Sequence, residues 1–146
     1  WLVAAGPKNY EGLLESKQKL GIGGEFDVRA FLDADEMASA LFRASVIVCR
    51  SGGSLAELAA FRKPSVLIPL PIAMGNHQLT NAKEFEAMGA AMILEQSELA
   101  TSTLEARIRH WLADPKAYQA AQDALADWDI PDAAERILAL IEEAAP

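Results

Sequence analysis

The stretch CRSGGSLAELAAFRKPSVLIPLPIAMGNHQLTNAKEF, residues Cys49–Phe85, holds two helix-like segments, each preceded by a short apolar run. The runs are Val46–Cys49 and Val66–Leu70, and neither alternates with polar residues. Unbroken apolar runs of this length are typical of strands that are covered on both faces. After the first run come serines and glycines, and after the second come amide side chains. The stretch therefore predicts two successive strand-to-helix junctions of a parallel sheet.

The same alternation extends to both sides of that stretch. A strand-to-helix rhythm of this kind favours a parallel sheet with helices on both faces. The sequence therefore predicts an α/β, Rossmann-like fold. The predicted strands are Leu2–Ala5, Val28–Leu32, Val46–Cys49, Val66–Leu70 and Ala90–Leu94, and the predicted helices between them are Asn9–Leu20, Asp35–Arg43, Ser54–Arg62 and His77–Met88.

The last third of the chain has no strand pattern and predicts a helical tail. Ser102 and Glu105 have the spacing of a capping box that opens the first tail helix. A second helix is predicted from Pro115 to about Trp128, and a third after Pro131. Trp111 and Trp128 are predicted to pack in the core, and the last helix is predicted to bury the apolar stripe Ile137, Leu138, Leu140 and Ile141.

Length and charge limit the possible functions. With 146 residues the chain is predicted to form a single domain over residues 1–146. Its 13 basic and 21 acidic residues give a net charge of −8, which argues against a nucleic-acid partner and against adhesion to anionic lipid. A single cysteine, Cys49, favours a reducing compartment, so we expect a cytoplasmic location. The opening WLVAAG begins inside a strand-like run, which suggests a fragment of a longer protein.

The first junction predicts an anion site. Glycines at a helix start let a ligand approach the backbone, and the first N–H groups of a helix have no internal partner. We expect the N–H groups of Gly53, Ser54 and Leu55 to hold a diphosphate. Glu57, in the first turn, has two open interpretations: a capping-box contact to Ser54, or a carboxylate that accepts hydrogen bonds from ribose hydroxyls. The P-loop pattern is absent.

The second junction predicts contacts to a sugar. Gln78 and Asn81 are three residues apart, so both amides project from one face of the predicted helix. An amide both donates and accepts hydrogen bonds, as recognition of a sugar hydroxyl requires. Asn76 is predicted to be the helix N-cap. No metal-ligand spacing surrounds His77, and no cofactor is indicated. The residues alone thus predict a sugar-nucleotide site.

The same residues resemble the MurG family of glycosyltransferases. The segments that carry the resemblance are CRSGGSLAELAAFRKPSVLIPLP, GNHQLTNAKEFEAMGAAMILEQSEL, RAFLDADEMASALFRASVIVCRSGG and PDAAERILALIEE, so it covers nearly the whole chain. It implies the nucleotide-binding, C-terminal half of a GT-B glycosyltransferase. The implied reaction is inverting transfer of N-acetylglucosamine from UDP-N-acetylglucosamine to the undecaprenyl-pyrophosphoryl-muramoyl-pentapeptide lipid during peptidoglycan synthesis.

The resemblance also implies roles for individual residues. Phe31 and the Leu32 backbone would border the uracil, and Arg50 would either help to hold the phosphates or form a structural salt bridge. The remaining assignments agree with those reached above: Gly53, Ser54 and Leu55 for the diphosphate, Glu57 for the ribose, and Gln78 and Asn81 for the N-acetylglucosamine.

The family's N-terminal acceptor domain and the first strand of its nucleotide domain are missing from this sequence. In the family the general base and the lipid-binding surface belong to that missing domain, so we expect no catalytic residue here and no turnover by this fragment alone. Membrane contact is expected to be peripheral, on the cytoplasmic face, and through the missing domain. Two alternatives remain: a related lipid glycosyltransferase or split sugar-nucleotide subunit, and a non-catalytic nucleotide-binding or interaction module.

Overall fold

A computed structural model describes residues 1–72 and 74–144 of the chain. The chain falls into two compact units, Trp1–Arg43 and Ala44–Pro146.

The first unit is a pair of parallel strands with two helices. Strands β1 (Leu2–Ala4) and β2 (Asp27–Arg29) pair with Val3 opposite Val28. Helix α1 (Tyr10–Lys19) connects them, and α2 (Ala34–Arg43) follows β2. The start of α2 is closed by a reciprocal capping box. Its Glu36 N–H donates to Asp33 at 2.9 Å, and the Asp33 N–H donates to Glu36 at 3.0 Å.

The second unit contains a three-stranded parallel sheet in the order β3, β4, β5. The strands are Ile47–Cys49, Ser65–Leu67 and Ala91–Ile93. The central strand β4 is buried along its whole length. Because β4 has a neighbour on each side and is covered on both faces, its apolar sequence does not need to alternate with polar residues.

Helices cover both faces of this sheet. Successive residues of a strand point to opposite faces, and Val66 and Leu67 of β4 belong to different core clusters. Leu67 packs with Phe85, whereas Val66 packs with Trp111. The predicted α/β architecture with a helical tail is therefore confirmed. The five helices of this unit are α3 (Ser54–Ala60), α4 (His77–Ala87), α5 (Thr101–Ala113), α6 (Pro115–Trp128) and α7 (Ala133–Ala144).

The capping box predicted from Ser102 to Glu105 is wrong. Helix α5 begins at Thr101, and the Thr103 hydroxyl accepts a hydrogen bond from the Ala100 N–H at 3.0 Å. Glu105 pairs instead with Arg109, one turn further along the helix, at 2.7 Å. The Thr103 hydroxyl accepts from the N-cap N–H as the Glu105 carboxylate was predicted to do, but the N-cap is Ala100, two residues before the predicted Ser102.

The buried stripe predicted for α7 is also wrong. Ile137, Leu138, Leu140 and Ile141 expose 56 to 64% of their surface. The stripe has helical spacing, but no element among the described residues covers it. Of the two tail tryptophans, Trp111 is buried as predicted and donates to the Ser65 carbonyl at 3.1 Å. Trp128 is only partly buried, against the edge of Phe85.

Within the described residues, none of the helices has the length and apolar character needed to cross a bilayer.

Candidate functional site

The β3–α3 loop and the first turns of α4 lie against each other at the carboxyl end of β3. The buried Ser51 hydroxyl donates to the Gln78 carbonyl at 2.7 Å, and the Asn81 amide donates to the Ser51 carbonyl at 3.3 Å. A Cβ added to Gly52 would stand 3.8 Å from Gln78 Nε2. The two junctions predicted from the sequence therefore converge. The edge where they meet is the one at which open α/β sheets bind ligands.

The start of α3 is open. Its N-cap residue is Gly53, and no side chain caps the helix. The Leu55 N–H makes a long bond of 3.3 Å to the Gly52 carbonyl, while the Gly53 and Ser54 N–H groups have no partner among the described residues. A Cβ at Gly53 would meet nothing within 4 Å. Two backbone donors at a helix start thus have no partner among the described residues, and an anion site requires such donors.

Glu57 lies on the exposed face of α3, opposite the buried Leu55 and Ala59. It makes no capping bond at the helix start, so the capping-box interpretation has no support in the structure. Its carboxylate is close enough to act on Cys49 at the end of β3. Burial raises the pKa of the Cys49 thiol to about 11, and the negative charge of Glu57 adds to that rise. Glu57 is therefore on the same side of the unit as the β3–α3 loop.

Both the backbone and the side chain of Gln78 are hydrogen-bonded. Its backbone carbonyl accepts from Ser51, and its side-chain Oε1 accepts from the Leu70 N–H at 2.9 Å. Because a backbone N–H can only donate, the Leu70 contact fixes which end of the amide is oxygen. The Nε2 end is then turned toward Gly52 and is the end left to donate to a ligand. In Asn81 the nitrogen is the occupied end, because Nδ2 donates to the Ser51 carbonyl, so Oδ1 is the end left for a ligand.

The turn into α4 has left-handed backbone. Gly75 has φ 62° and Asn76 has φ 56°, a conformation that asparagine tolerates better than most residues. Asn76 occupies the N-cap position as predicted, but its side chain makes no capping bond. Its contribution is therefore the backbone turn. The start of α4, like that of α3, has no side-chain cap.

Arg50 is used by the protein itself. Its guanidinium donates to the Ile68 carbonyl at 2.9 Å, the Pro69 carbonyl at 3.1 Å and the Gln96 side chain at 2.8 Å. These bonds tie together the chain segments that follow β3, β4 and β5. A cavity of about 300 Å³ lies beside them, lined by Pro69, Leu70, Pro71, Asn76, Leu79, Glu95, Gln96 and Ser97. The geometry favours a structural role for Arg50, although through strand-end carbonyls rather than a salt bridge.

Phe31 and Leu32 belong to the first unit. The Phe31 side chain is exposed, as a ring that stacks on a base requires, whereas the Leu32 side chain is buried. Leu32 lines a cavity of about 400 Å³ with charged residues of β2 and α2, among them Asp27 and Arg29. The hydrogen bond from Arg29 lowers the pKa of the Asp27 carboxyl. The contacts of Phe31 and the Leu32 backbone to uracil remain a prediction.

Ser51 and Gln96 were missed by the sequence reasoning. A serine beside two glycines carries no local signal of burial, yet Ser51 is completely buried. Nothing in the sequence around Gln96 indicates that it meets Arg50, 46 residues away. Within residues 1–72 and 74–144, no group of three or more His, Cys, Asp or Glu is placed to hold a metal ion.

Comparison with known proteins identifies the family of this chain. The sequence model described as Glycosyltransferase family 28 C-terminal domain matches residues 2–137. The UDP-N-acetylglucosamine--N-acetylmuramyl-(pentapeptide) pyrophosphoryl-undecaprenol N-acetylglucosamine transferase of Alkalilimnicola ehrlichii is 34% identical over 97% of this chain. The enzyme of the same name from Sorangium cellulosum is 39% identical over 87% of the chain. The chain spans only 39% and 31% of the length of these two relatives.

Solved structures agree with this comparison. The crystal structure of Acinetobacter baumannii MurG superposes with a TM-score of 0.80 and 27% identity, covering 94% of this chain and 41% of that one. The glycosyltransferase VinC, solved in complex with dTDP, gives a TM-score of 0.66 at 21% identity, covering 87% of this chain and 32% of that one. The second likeness concerns the fold alone.

Proposed function

Since this chain belongs to glycosyltransferase family 28, whose C-terminal domain it matches over residues 2–137, we propose that it is the donor-binding part of an N-acetylglucosaminyltransferase. The donor is UDP-N-acetylglucosamine, and the acceptor is the lipid-linked muramoyl-pentapeptide of peptidoglycan synthesis. The curated relatives that span most of the chain carry that activity in their names. The acceptor and the general base are assigned to parts of the protein beyond these residues.

The observation that carries the proposal is the convergence of two junctions with complementary chemistry. One offers the open N–H groups of Gly53 and Ser54, and the other offers the amides of Gln78 and Asn81. A diphosphate requires donors, and a sugar requires both donors and acceptors. A sugar nucleotide carries these groups next to each other. A ligand with only one of them would leave half of the site unused.

The remaining groups of the donor are assigned as follows. The diphosphate lies on the Gly53 and Ser54 N–H groups, and the Leu55 N–H joins them once its long bond to Gly52 is released. Glu57 accepts the ribose hydroxyls, which its exposed position and the absence of a capping bond allow. For the first unit by itself, contacts of Phe31 and the Leu32 backbone to uracil are a prediction from the family resemblance. Arg50 acts mainly by holding the strand ends in place.

In this arrangement the protein catalyses by stabilising the leaving group. When the acceptor hydroxyl displaces UDP at the anomeric carbon with inversion, negative charge grows on the diphosphate. N–H groups already aimed at that position stabilise the charge without reorganising, which is a major source of enzymatic rate enhancement. The proposed place of the whole protein is the cytoplasmic face of the membrane, because the donor is a nucleotide sugar and the acceptor is lipid-linked.

Titration calorimetry with UDP, UDP-N-acetylglucosamine and UDP-glucose tests the proposal. We expect the acetamido sugar nucleotide to bind tighter than UDP-glucose. Equal affinity for the two sugar nucleotides would favour a related lipid glycosyltransferase. Complete absence of uridine nucleotide binding would refute the proposal and favour an interaction module.

A further inference from the structure

Ser51 is the buried polar residue that connects the two junctions. Its side chain is completely inaccessible to solvent, and a hydroxyl in such a place requires a hydrogen-bond partner. The partner is the Gln78 carbonyl at 2.7 Å, 27 residues away in the sequence. The Ser51 carbonyl receives a second bond, from Asn81 at 3.3 Å. The residue between Arg50 and the glycines is therefore bound to the first two turns of α4.

These bonds determine where the Gln78 amide stands. The Ser51 hydroxyl holds the backbone of Gln78, and the Leu70 N–H holds its Oε1 at 2.9 Å. With both points fixed, Nε2 is left as a donor beside Gly52, the residue next to the open N–H of Gly53. Gln78 Nε2 can therefore donate a hydrogen bond to an acceptor oxygen on the ligand, such as a sugar hydroxyl or an acetamido carbonyl.

We propose that Ser51 is a positioning residue that sets the distance between the diphosphate loop and the sugar-binding amides. The proposal rests on the function proposed above, and it goes further by assigning sugar selectivity to a residue that does not touch the sugar. Loss of the hydroxyl removes the shorter of the two bonds between the β3–α3 loop and α4 and leaves only the longer one, from Asn81 to the Ser51 carbonyl. The nucleotide keeps its contacts on α3, while the sugar loses an amide that was held in place.

The chain offers a matched control in Ser65. It is equally buried, but its hydroxyl has no hydrogen-bond partner among the described residues, and it lies at the opposite end of the sheet, at the start of β4. Ser65→Ala removes the same atom from an equally inaccessible place without breaking a bond. Any effect of Ser51→Ala that Ser65→Ala does not share therefore arises from the bond to Gln78.

The experiment titrates UDP and UDP-N-acetylglucosamine into the wild-type chain, Ser51→Ala, Ser51→Cys and Ser65→Ala. We expect Ser51→Ala to weaken sugar-nucleotide binding by about fivefold, the equivalent of one ordinary hydrogen bond, and to leave the affinity for UDP unchanged. Ser51→Cys keeps the volume with a weaker donor and should give a smaller loss. Ser65→Ala should bind both ligands as the wild type does.

Equal loss for both ligands in Ser51→Ala would mean a purely structural role and would overturn the proposal, as would no loss for either. Hydrogen exchange at the start of α4, over residues 80–83, separates this proposal from the function on which it rests. If the wild type binds no uridine nucleotide, the proposed function fails, yet faster exchange in Ser51→Ala alone would still support the coupling of the two junctions. Unchanged exchange would refute that coupling.

Discussion

Helices α3 and α6 of the second unit begin in opposite ways. At the start of α6 the Asp114 carboxylate accepts hydrogen bonds from the Lys116 and Ala117 N–H groups, both at 3.0 Å, and Pro115 removes a third donor. At the start of α3 a glycine occupies the cap position and no side chain contributes. In α6, which packs in the core, a side chain satisfies N-terminal N–H groups of the helix. In α3 such groups stay available to a ligand.

The difference does not arise from lack of room. A side chain at Gly53 would meet no atom within 4 Å, and its φ of −58° suits any residue. A capping side chain in place of glycine stabilises a helix by roughly a few tenths of a kcal/mol, so the uncapped start gives up a small stabilisation that was available. Such a sacrifice is typical of functional sites. The predictions below alter one helix start or the other.

The largest effect is expected from Gly53→Asp, which gives α3 an acidic group like that of α6. By the geometry of Asp114, the carboxylate accepts from the N–H groups two and three residues further along, and its charge beside the Gly53 and Ser54 donors repels the diphosphate. Losing two charge-assisted bonds of roughly 1.5–3 kcal/mol each would weaken UDP binding by about 100-fold or more. Calorimetric titration with UDP measures the effect. Gly53→Ala, which fits the same space without charge, should bind within about threefold of the wild type; if both variants bind equally well, the open start of α3 does not hold the diphosphate.

A smaller loss is expected from Glu57→Gln. The amide keeps the shape of the side chain but removes the charge that strengthens hydrogen bonds to the ribose. We expect about tenfold weaker binding of UDP, equivalent to one charge-assisted bond. A 2′,3′-dideoxy analogue of UDP provides the control, because it has no hydroxyls for Glu57 and should bind wild type and variant alike. A tenfold loss for the analogue as well would contradict the ribose assignment.

Asp114→Ala removes the N-cap side chain of α6, so that the start of α6 becomes uncapped like that of α3. The Lys116 and Ala117 N–H groups lose their partner, so the free energy of unfolding should fall by about 1 kcal/mol. For a domain of this size the Tm falls by about 4 °C, measured by thermal denaturation. UDP affinity should not change. Weaker UDP binding in this variant would show that the two helix starts are not functionally separate.

The smallest effect concerns the Cys49 thiol. Its pKa is raised to about 11, first by burial and then by Glu57, so Glu57→Gln should lower it while Asp114→Asn should not. Ultraviolet absorbance of the thiolate during a pH titration gives both values. The folded pKa exceeds the ordinary thiol pKa of 9.0, so the thiol's contribution to stability is present below pH 9 and is lost as the pH rises through 11. An unchanged pKa in Glu57→Gln would place that carboxylate away from β3.

Patterns that repeat along the chain made the fold predictable. The strands Val46–Cys49 and Val66–Leu70 and the helices after them were predicted because buried parallel strands are continuously apolar. The observed strands are shorter, Ile47–Cys49 and Ser65–Leu67, since ladder pairing ends before the apolar run does. The stripe on α7 was predicted correctly as helical and wrongly as buried. Spacing predicts that a face is apolar, but what covers it is a matter of tertiary structure.

The candidate site was predictable in position but not in its bonding. Glycines and amides after two strands indicated where ligands would bind. The role of Arg50 was not predictable, because a guanidinium can donate to a phosphate or to any carbonyl in reach, and here the carbonyls of Ile68 and Pro69 are in reach. The burial of Ser51 and its bond to Gln78 depend on how α4 packs, which no local pattern encodes.

Backbone amide chemical shifts, followed by NMR during titration with UDP-N-acetylglucosamine, test the central claim most directly. If one sugar nucleotide occupies both junctions, the signals of Gly53 and Ser54 and those of Gln78 and Asn81 should move together, with the same half-saturating concentration. UDP alone should move the first pair more than the second. Movement of only one pair with the sugar nucleotide, or different half-saturating concentrations for the two, would contradict a common site.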